Sequence, residues 1–175
     1  MDSELLDIVD ENDNVIGRDT KANKLRKGLI SRNIAIFIID KDGKMLVSKR
    51  ASTKKSFPNL YDPSAAGNVR AGESYEDAAK RELGEELGAE CGLETIGTIH
   101  NDFTENGGRL RYITAVFLGR YSGQITPNAE IAEIKRRNTA EIDAMIAQNP
   151  AQFTPGFLKE FPLVRNKLVK GEIQS

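Results

Sequence analysis

Continuous and alternating apolar runs predict two hairpins in the first third of the chain. Residues 34–39 are uniformly apolar, which is typical of a strand buried on both faces, and residues 44–50 follow it after an Asp-Gly turn. We expect this hairpin at the centre of a sheet. Residues 5–10 and 15–17 predict a shorter N-terminal hairpin, and the basic segment 18–28 after it is predicted to be irregular.

The second half of the chain repeats the strand pattern and then changes to a helical one. Residues 94–103 and 110–118 predict two strands around a glycine-rich turn. Helices are predicted over residues 139–148 and from Thr154-Pro155 onward, because proline suits the first turn of a helix. Strands on both sides of one earlier helix, with helices at the end, predict an α/β layered domain with a mixed sheet.

Length, charge and cysteine content bound the class of protein. The 175 residues are enough for one domain with a full core, and the net charge of −1 gives no global attraction to nucleic acid or anionic membranes. No apolar run approaches the roughly 20 residues that cross a bilayer, and the single cysteine, Cys91, cannot form an internal disulfide. We expect a cytoplasmic protein with no stable nucleic-acid partner and no membrane attachment. The sequence leaves the oligomeric state open, with a homodimer as one option.

A helix predicted between Ser74 and Gly88 carries an unusual cluster of carboxylates near its C-terminus. Glu82, Glu85 and Glu86 project within about a quadrant of one helical face. The helix dipole disfavours negative charge at this end by roughly 0.3–1 kcal/mol for each carboxylate. Folding alone gains nothing from such a cluster, whereas a bound Mg²⁺ or Mn²⁺ ion would make it favourable.

The surroundings of the cluster support a binding role. Ala79, Leu83 and Leu87 predict an apolar stripe opposite the acids, so that one face of the helix packs and the other is offered to a ligand. Gly67 and Gly72 bracket the preceding loop, where missing side chains let backbone carbonyls approach a metal or a phosphate. A solvated acidic helix is the plain alternative, and the spacing of acids and glycines argues against it.

This segment resembles the signature of the Nudix hydrolases, G-x5-E-x7-R-E-U-x-E-E-x-G-U, where U is aliphatic. The chain reads Gly67, five residues, Glu73, seven residues, and then Arg81-Glu82-Leu83-Gly84-Glu85-Glu86-Leu87-Gly88-Ala89. All seven fixed positions match, a chance event of about one in a million at a typical frequency of roughly 6% for each residue type. The resemblance implies the α/β/α sandwich of that family, with the signature forming a loop, a helix and a loop.

The resemblance also implies roles for the signature residues. The implied metal-binding set is the Gly67 carbonyl, Glu82, Glu85 and Glu86. Arg81 would orient the glutamates, with Glu73 as its partner or as an outer ligand. Such a site suits attack of water on a diphosphate, because a bound Mg²⁺ neutralises phosphate charge and lowers the pKa of water.

The signature does not determine which residue is the general base or which cations bind phosphate. Candidates for the base are Glu82, Glu85, Glu130 and Glu133. Candidates for phosphate contacts are Arg50, Lys54, Lys55, Arg109 and Arg111, each with a solvated surface charge as the alternative. Candidates for stacking on a base are Phe57, Tyr61 and Phe103, with core packing as the alternative.

Residues 5–120 resemble, more loosely than the signature does, the isopentenyl-diphosphate isomerase-like branch of the same family. That branch implies a competing function, in which proton transfer moves a double bond. The isomerase uses a cysteine before the signature, a histidine-rich metal site and a Glu-x-Glu pair on a later strand. In this chain, Ala65-Ala66 stand where the cysteine would be, and Arg109-Leu110-Arg111 stand where the Glu-x-Glu pair would be. His100 is its only histidine.

We therefore predict a Mg²⁺-dependent hydrolase that cleaves a diphosphate linkage in a small molecule, a nucleoside diphosphate joined to another group. Its single domain spans residues 1–175, with residues 1–30 as hairpin and basic segment and residues 31–170 as the core. The isomerase is disfavoured because three parts of its machinery are missing. A nucleotide-binding module without turnover is disfavoured because every signature position is intact. Substrate specificity is expected in the loops 18–28, 51–62 and 102–109.

Overall fold

A computed structural model of the protein describes residues 3–174, with side chains through residue 171. The strands are β1 (Leu5–Val9), β2 (Val15–Thr20), β3 (Ile30–Ile39), β4 (Met45–Arg50), β5 (Tyr61–Asp62), β6 (Ala65–Asn68), β7 (Leu93–Glu105), β8 (Gly108–Arg120) and β9 (Ile131–Arg137). The helices are α1 (Lys21–Lys27), α2 (Tyr75–Leu87), α3 (Thr139–Gln148) and α4 (Pro155–Gln174). Within the described range, no helix has the length and apolar character needed to cross a membrane.

Strand β3 forms the centre of a mixed sheet, as its apolar run predicts. It lies parallel to β8 and antiparallel to β1, β4 and β6. Strands β3 and β4 share one register pair, Ile39 with Met45. Beyond it they diverge, because β4 pairs with β5 and β9 while β3 pairs with β6 and β8. The predicted hairpin is present, although its two strands lead into different halves of the sheet.

Helices cover both faces of the sheet. The core on one face joins Ile34, Ile36 and Ile38 of β3 to Ala79, Leu83 and Leu87 of α2. The core on the other face joins Ala35, Phe37 and Ile39 of β3 to Ile142 of α3 and to Phe157 and Phe161 of α4. Since alternate residues of a strand point to opposite faces, two helical layers explain the uniformly apolar run. The α/β/α sandwich is thereby confirmed.

Helix α2 begins and ends where the sequence predicts. The Ser74 hydroxyl accepts the Asp77 N–H at 3.1 Å, and Gly88, at φ 62°, ends the helix in the left-handed conformation. The predicted position of the apolar stripe is wrong. Its three residues lie about 60–140° around the helix from Glu82, beside the acids rather than opposite them. Glu82 and Glu86 are consequently buried with the stripe.

The segment 18–28, predicted to be irregular, is ordered. Strand β2 continues to Thr20, whose hydroxyl caps α1 by accepting the Asn23 N–H at 3.2 Å, and Gly28, at φ 64°, ends the helix. Seven residues are too few for a clear helical period. The one buried residue of α1 is also a lysine, Lys24, so the usual apolar signal is missing.

Strands β6 and β9 are not predicted by the sequence. Strand β6 consists of Ala, Gly and Asn, which lack the β-branched side chains typical of strands, yet it pairs with β3 along its whole length. Strand β9 is rich in charged residues that hide its alternation, and it pairs antiparallel with β4. These two strands position two of the candidate site residues, Gly67 in β6 and Glu133 in β9.

Candidate active site

The carboxylate of Glu82 lies directly against the backbone of Gly67, where α2 meets β6. A Cβ atom at position 67 would collide with the Glu82 carboxyl group, so this contact requires glycine. Gly67 is itself fixed by the sheet, because it pairs with Ile34 of β3. Strand β6 therefore brings a bare stretch of backbone to the buried acids of α2.

Replacing Gly67 with alanine should displace Glu82 from this position. For the hydrolysis that the sequence predicts, we expect the rate to fall by about 100-fold, an effect typical of misplacing a group at the reacting centre by about 1 Å. Gly84 of α2 is the matched control, since a Cβ atom there meets nothing within 4 Å. Gly84→Ala should keep the wild-type rate in an assay of phosphate release. Equal rates for both variants would show that the Gly67 contact is irrelevant to activity.

Glu86 is buried beside Glu82, and its charge is poorly compensated. Its Oε2 accepts the Ala66 N–H at 3.3 Å, and 8% of the residue is exposed. Burial, reinforced by the charges of Glu82 and Glu130, raises the pKa of Glu86 well above its usual range. Burial also raises the pKa of Glu82. Two adjacent buried carboxylates are a donor set that fits a hard divalent cation such as Mg²⁺.

Arg81 joins the glutamates into one network. Its guanidinium donates to both oxygens of Glu73 at 2.8 and 2.9 Å, to Glu82 at 2.7 Å and to the Asn68 carbonyl at 2.9 Å. The hydrogen bonds with Glu73 are the largest of several influences that raise the pKa of Arg81. A bidentate guanidinium fixes the orientation of its partners, which is what a positioning role requires.

Glu85 differs from the other two acids of the signature. Its side chain is 49% exposed, and its oxygens lie 3.4 Å from Arg81 and 3.8 Å from Arg70. Among the side chains that the structure describes, residues 3–171, no three His, Cys, Asp or Glu residues converge in the arrangement of a preformed metal site. The pair that fits a cation in this arrangement is therefore Glu82 and Glu86, with Glu85 at the solvent edge.

A pocket beside Glu86 gathers residues that are distant in the sequence. It is lined by Ser48, Arg50, Lys54, Asp62, Pro63, Ala66, Glu86, Glu130 and Ile131. Arg50 lies 3.0 Å from Asp62 and also donates to the Ser56 carbonyl at 2.8 Å. Lys54 lies 3.2 Å from Glu130. The pocket thus places two cations and two further carboxylates next to the buried pair.

Several candidates from the sequence lie elsewhere. Glu133 is exposed in β9 opposite Lys49, and Arg109 pairs with Asp102 at 2.6 Å near the tip of the β7–β8 hairpin. Neither residue lines the pocket, and neither does Lys55 or Arg111. Phe57 and Phe103 pack edge to face at 6.4 Å, whereas Tyr61 packs against Phe153 in the core.

Sequence reasoning does not identify Asp62, which lines the pocket. Strand β5 holds Asp62 opposite Ser48 of β4, and its carboxylate accepts from Arg50 at 3.0 Å and from the Thr154 hydroxyl at 2.7 Å. A two-residue strand after a loop rich in lysine and proline gives no local signal for such a position. Its only clue is the acid itself, placed just before β6.

The chain is thus an α/β/α sandwich in which helix α2 carries a buried pair of acids, Glu82 and Glu86. A family model described as the NUDIX domain matches residues 30–157, so the chain belongs to the Nudix family. The chain is 35% identical over 158 residues to isopentenyl-diphosphate Delta-isomerase 2 of Photorhabdus laumondii, covering 89% of each chain. It is 39% identical over 127 residues to an uncharacterized Nudix hydrolase of Streptomyces coelicolor, covering 73% of this chain and 70% of that one.

Solved structures share the fold. DR0079 of Deinococcus radiodurans superposes with a TM-score of 0.68 at 25% identity, covering 83% of this chain and 90% of the other. The NUDIX domain of Shewanella oneidensis NrtR, solved with ADP ribose, gives a TM-score of 0.62 at 19% identity, covering 86% and 99%. At that identity, the second likeness shows the fold alone.

Proposed function

We propose that the protein is a Mg²⁺-dependent hydrolase that cleaves the diphosphate linkage of a nucleoside diphosphate joined to another group. The observation that carries this proposal is the buried pair Glu82 and Glu86, next to a pocket that contains Arg50 and Lys54. Membership of the Nudix family supports a hydrolase. The ADP ribose bound to the Shewanella neighbour is a molecule of the proposed substrate class.

The residues of the pocket have separate roles in this proposal. Glu82 and Glu86 hold the cation, which when bound supplies neutralisation of phosphate charge and a lower pKa for water. Arg81 keeps Glu82 in place through their 2.7 Å contact. Arg50 and Lys54 bind phosphate oxygens. The bonds from Arg50 to Asp62 and Ser56 hold its guanidinium at the pocket wall before substrate arrives, which reduces the entropy lost on binding.

Glu130 is the general base in this proposal. It lines the pocket, and its charge acts on both Glu82 and Glu86. Glu130→Gln should lower kcat by about 10²–10⁴-fold, the usual contribution of general base catalysis. Glu133→Gln is the matched control, because Glu133 lies on the exposed side of β9. Steady-state kinetics at saturating Mg²⁺ measure both. A wild-type kcat for Glu130→Gln would assign the base to Glu82 or Glu85 instead.

The names of several relatives favour isomerisation as a second candidate. Cys91 is poorly suited to act as the isomerase cysteine. It packs against Gly119 beyond the end of α2, and burial raises the pKa of its thiol. His100 is exposed in β7, and Ala65 and Ala66 lie in β6 at the place that the resemblance gives to the cysteine. These positions support hydrolysis over proton transfer to carbon.

Product release from a substrate panel tests the proposed function. The panel contains nucleoside di- and triphosphates, dinucleoside polyphosphates, nucleotide sugars and isopentenyl diphosphate, each with Mg²⁺ and with chelator. Metal-dependent cleavage of a nucleotide would support the hydrolase. Migration of the double bond of isopentenyl diphosphate without phosphate release would establish the isomerase, and nucleotide binding without turnover would establish a binding module.

A further inference from the structure

The N-terminal hairpin of β1 and β2 is hydrogen-bonded to the loop of the signature. This signature loop, residues 69–73, lies between β6 and α2. The Asp7 carboxylate of β1 accepts the Gly72 N–H at 2.8 Å, and the Leu5 carbonyl accepts the Ala71 N–H at 2.9 Å. The hairpin therefore holds two successive backbone N–H groups of the loop.

Asp7 is a buried carboxylate with both of its oxygens hydrogen-bonded. It is 5% exposed and lies between the core residues Leu6 and Ile8. Its Oδ2 accepts from Gly72, and its Oδ1 accepts from Arg18 Nε of β2 at 2.9 Å. Removing a carboxylate from water is costly unless its oxygens are bonded, and hydrogen bonds to a charged acceptor are stronger than neutral ones. Asp7 is therefore a strong, fixed acceptor for the loop rather than a solvated surface acid.

The signature loop connects this acceptor to the buried acids of α2. Glu73 follows Gly72 directly in the chain. Its two oxygens accept from Arg81 at 2.8 and 2.9 Å, and Arg81 reaches Glu82 at 2.7 Å. Because a bidentate pair has a narrow geometric tolerance, a displaced Glu73 would turn the Arg81 guanidinium and move Glu82. The hairpin therefore acts on the acid pair through a short chain of direct contacts.

Two further side chains attach the N-terminal hairpin to the signature. Glu4, just before β1, accepts from Arg70 Nε at 2.9 Å. Asp13, in the turn between β1 and β2, accepts from the Tyr75 hydroxyl of α2 at 3.0 Å and from Arg32 Nε of β3 at 2.6 Å. The hairpin is thus bonded both to the signature loop and to the helix that carries the acids.

The signature loop depends on contacts from outside for its shape. Gly72 has a φ of 79°, and glycine adopts positive and negative φ about equally readily. We propose that Asp7 is a positioning residue, which holds Gly72 and so sets the arrangement in which Glu82 and Glu86 bind a divalent cation. The family model starts at residue 30, so the N-terminal hairpin lies outside the segment that it matches. The binding of a cation by this acid pair rests on the proposed function.

The affinity for Mn²⁺ in the absence of substrate tests the proposal without turnover. Electron paramagnetic resonance measures free Mn²⁺ in titrations of the wild type, Asp7→Asn and Asp40→Asn. Asp40, in the turn between β3 and β4, is the matched control. It is 8% exposed, accepts two backbone N–H groups at 2.9 Å and pairs with Arg136 at 3.2 Å. We expect the Kd for Mn²⁺ to rise about tenfold in Asp7→Asn, the lower end of the effect of changing groups that orient metal ligands, and to stay at the wild-type value in Asp40→Asn.

Chemical denaturation of the same samples separates positioning from folding. Both substitutions remove the charge of a buried aspartate, so both should lower the free energy of unfolding, whereas only Asp7→Asn should weaken Mn²⁺ binding. Wild-type affinity in Asp7→Asn would overturn the proposal, and so would an equal loss of affinity in both variants, because that loss would follow from instability alone.

A milder variant keeps the test decisive if Asp7→Asn does not fold. Tyr75→Phe removes only the hydroxyl that donates to Asp13, and it should raise the Kd for Mn²⁺ by a smaller factor. Wild-type affinity in Tyr75→Phe would then overturn the proposal. Failure of the proposed hydrolase activity is distinguishable, because it would appear as absence of product from the wild type with Mg²⁺, whereas Mn²⁺ affinity is measured without substrate.

Discussion

Replacing Glu86 with glutamine is expected to lower the rate of Mg²⁺-dependent hydrolysis by about 10²–10³-fold, the usual effect of removing one electrostatic contact at a reacting centre. Glutamine keeps the volume of the side chain and an oxygen that can accept the Ala66 N–H. It removes the buried negative charge that a cation needs. Glu90→Gln is the matched control, since Glu90 is exposed just beyond α2 and should be dispensable for turnover.

The same substitution should change the response of stability to pH and metal. The folded-state pKa of Glu86 lies above its unfolded value, so the folded protein binds the extra proton and loses stability as pH rises through this range. Glu86→Gln should lack that loss when metal is absent. Mg²⁺ at 100 times its Kd should stabilise the wild type by about 2.7 kcal/mol and the variant far less. Equal stabilisation of both proteins in thermal unfolding would remove Glu86 from the metal site.

Replacing Lys24 with methionine is expected to raise the free energy of unfolding by about 4 kcal/mol at pH 7 when no ligand is bound. Burial, with a smaller effect of Lys21, lowers the pKa of Lys24 from 10.5 to about 7. The unfolded chain therefore binds more protons between these values, and wild-type stability rises with pH across this window. Methionine fills a similar volume without a charge to desolvate.

Chemical denaturation at several pH values checks this expectation. The gain from Lys24→Met should shrink to about 1 kcal/mol at pH 9.5, where the folded lysine is neutral and the pH lies only about one unit below the unfolded pKa of 10.5. Lys27→Met removes an exposed ammonium from the same helix and should change stability little at any pH. A gain that does not vary with pH would mean that methionine stabilises by packing, and that the Lys24 ammonium is not destabilised in the fold.

The parts of the fold with strong periodicity could be predicted from the sequence. The apolar run of β3, the caps of α2 at Ser74 and Gly88, and the Thr154-Pro155 start of α4 are local features, and the structure has them where expected. Strands β6 and β9 could not be predicted from local sequence. Strand β6 forms because it pairs with β3, and β9 because it pairs with β4, whereas their residues show no clear strand pattern.

The candidate site, like the fold, could be predicted only in part from the sequence. The spacing of the signature places Glu82 and Glu86 on one helix, so their proximity follows from helical geometry. The approach of Asp62 and Glu130 to these acids depends on β5 and on the turn before β9, and no local pattern encodes it. Lys24 is the extreme case, because its charge suggests a surface residue while the packing of α1 buries it over Tyr112.

The most direct test of the central claim is a single reaction in water enriched in ¹⁸O. ADP-ribose is incubated with the wild type and with Glu86→Gln, with Mg²⁺ and with chelator, and the products are analysed by mass spectrometry. Hydrolysis at phosphorus predicts one ¹⁸O atom in one phosphate-bearing product, formed only by the wild type with Mg²⁺. Unchanged ADP-ribose in the wild-type reaction with Mg²⁺, together with deuterium uptake into isopentenyl diphosphate in a parallel incubation in heavy water, would contradict it.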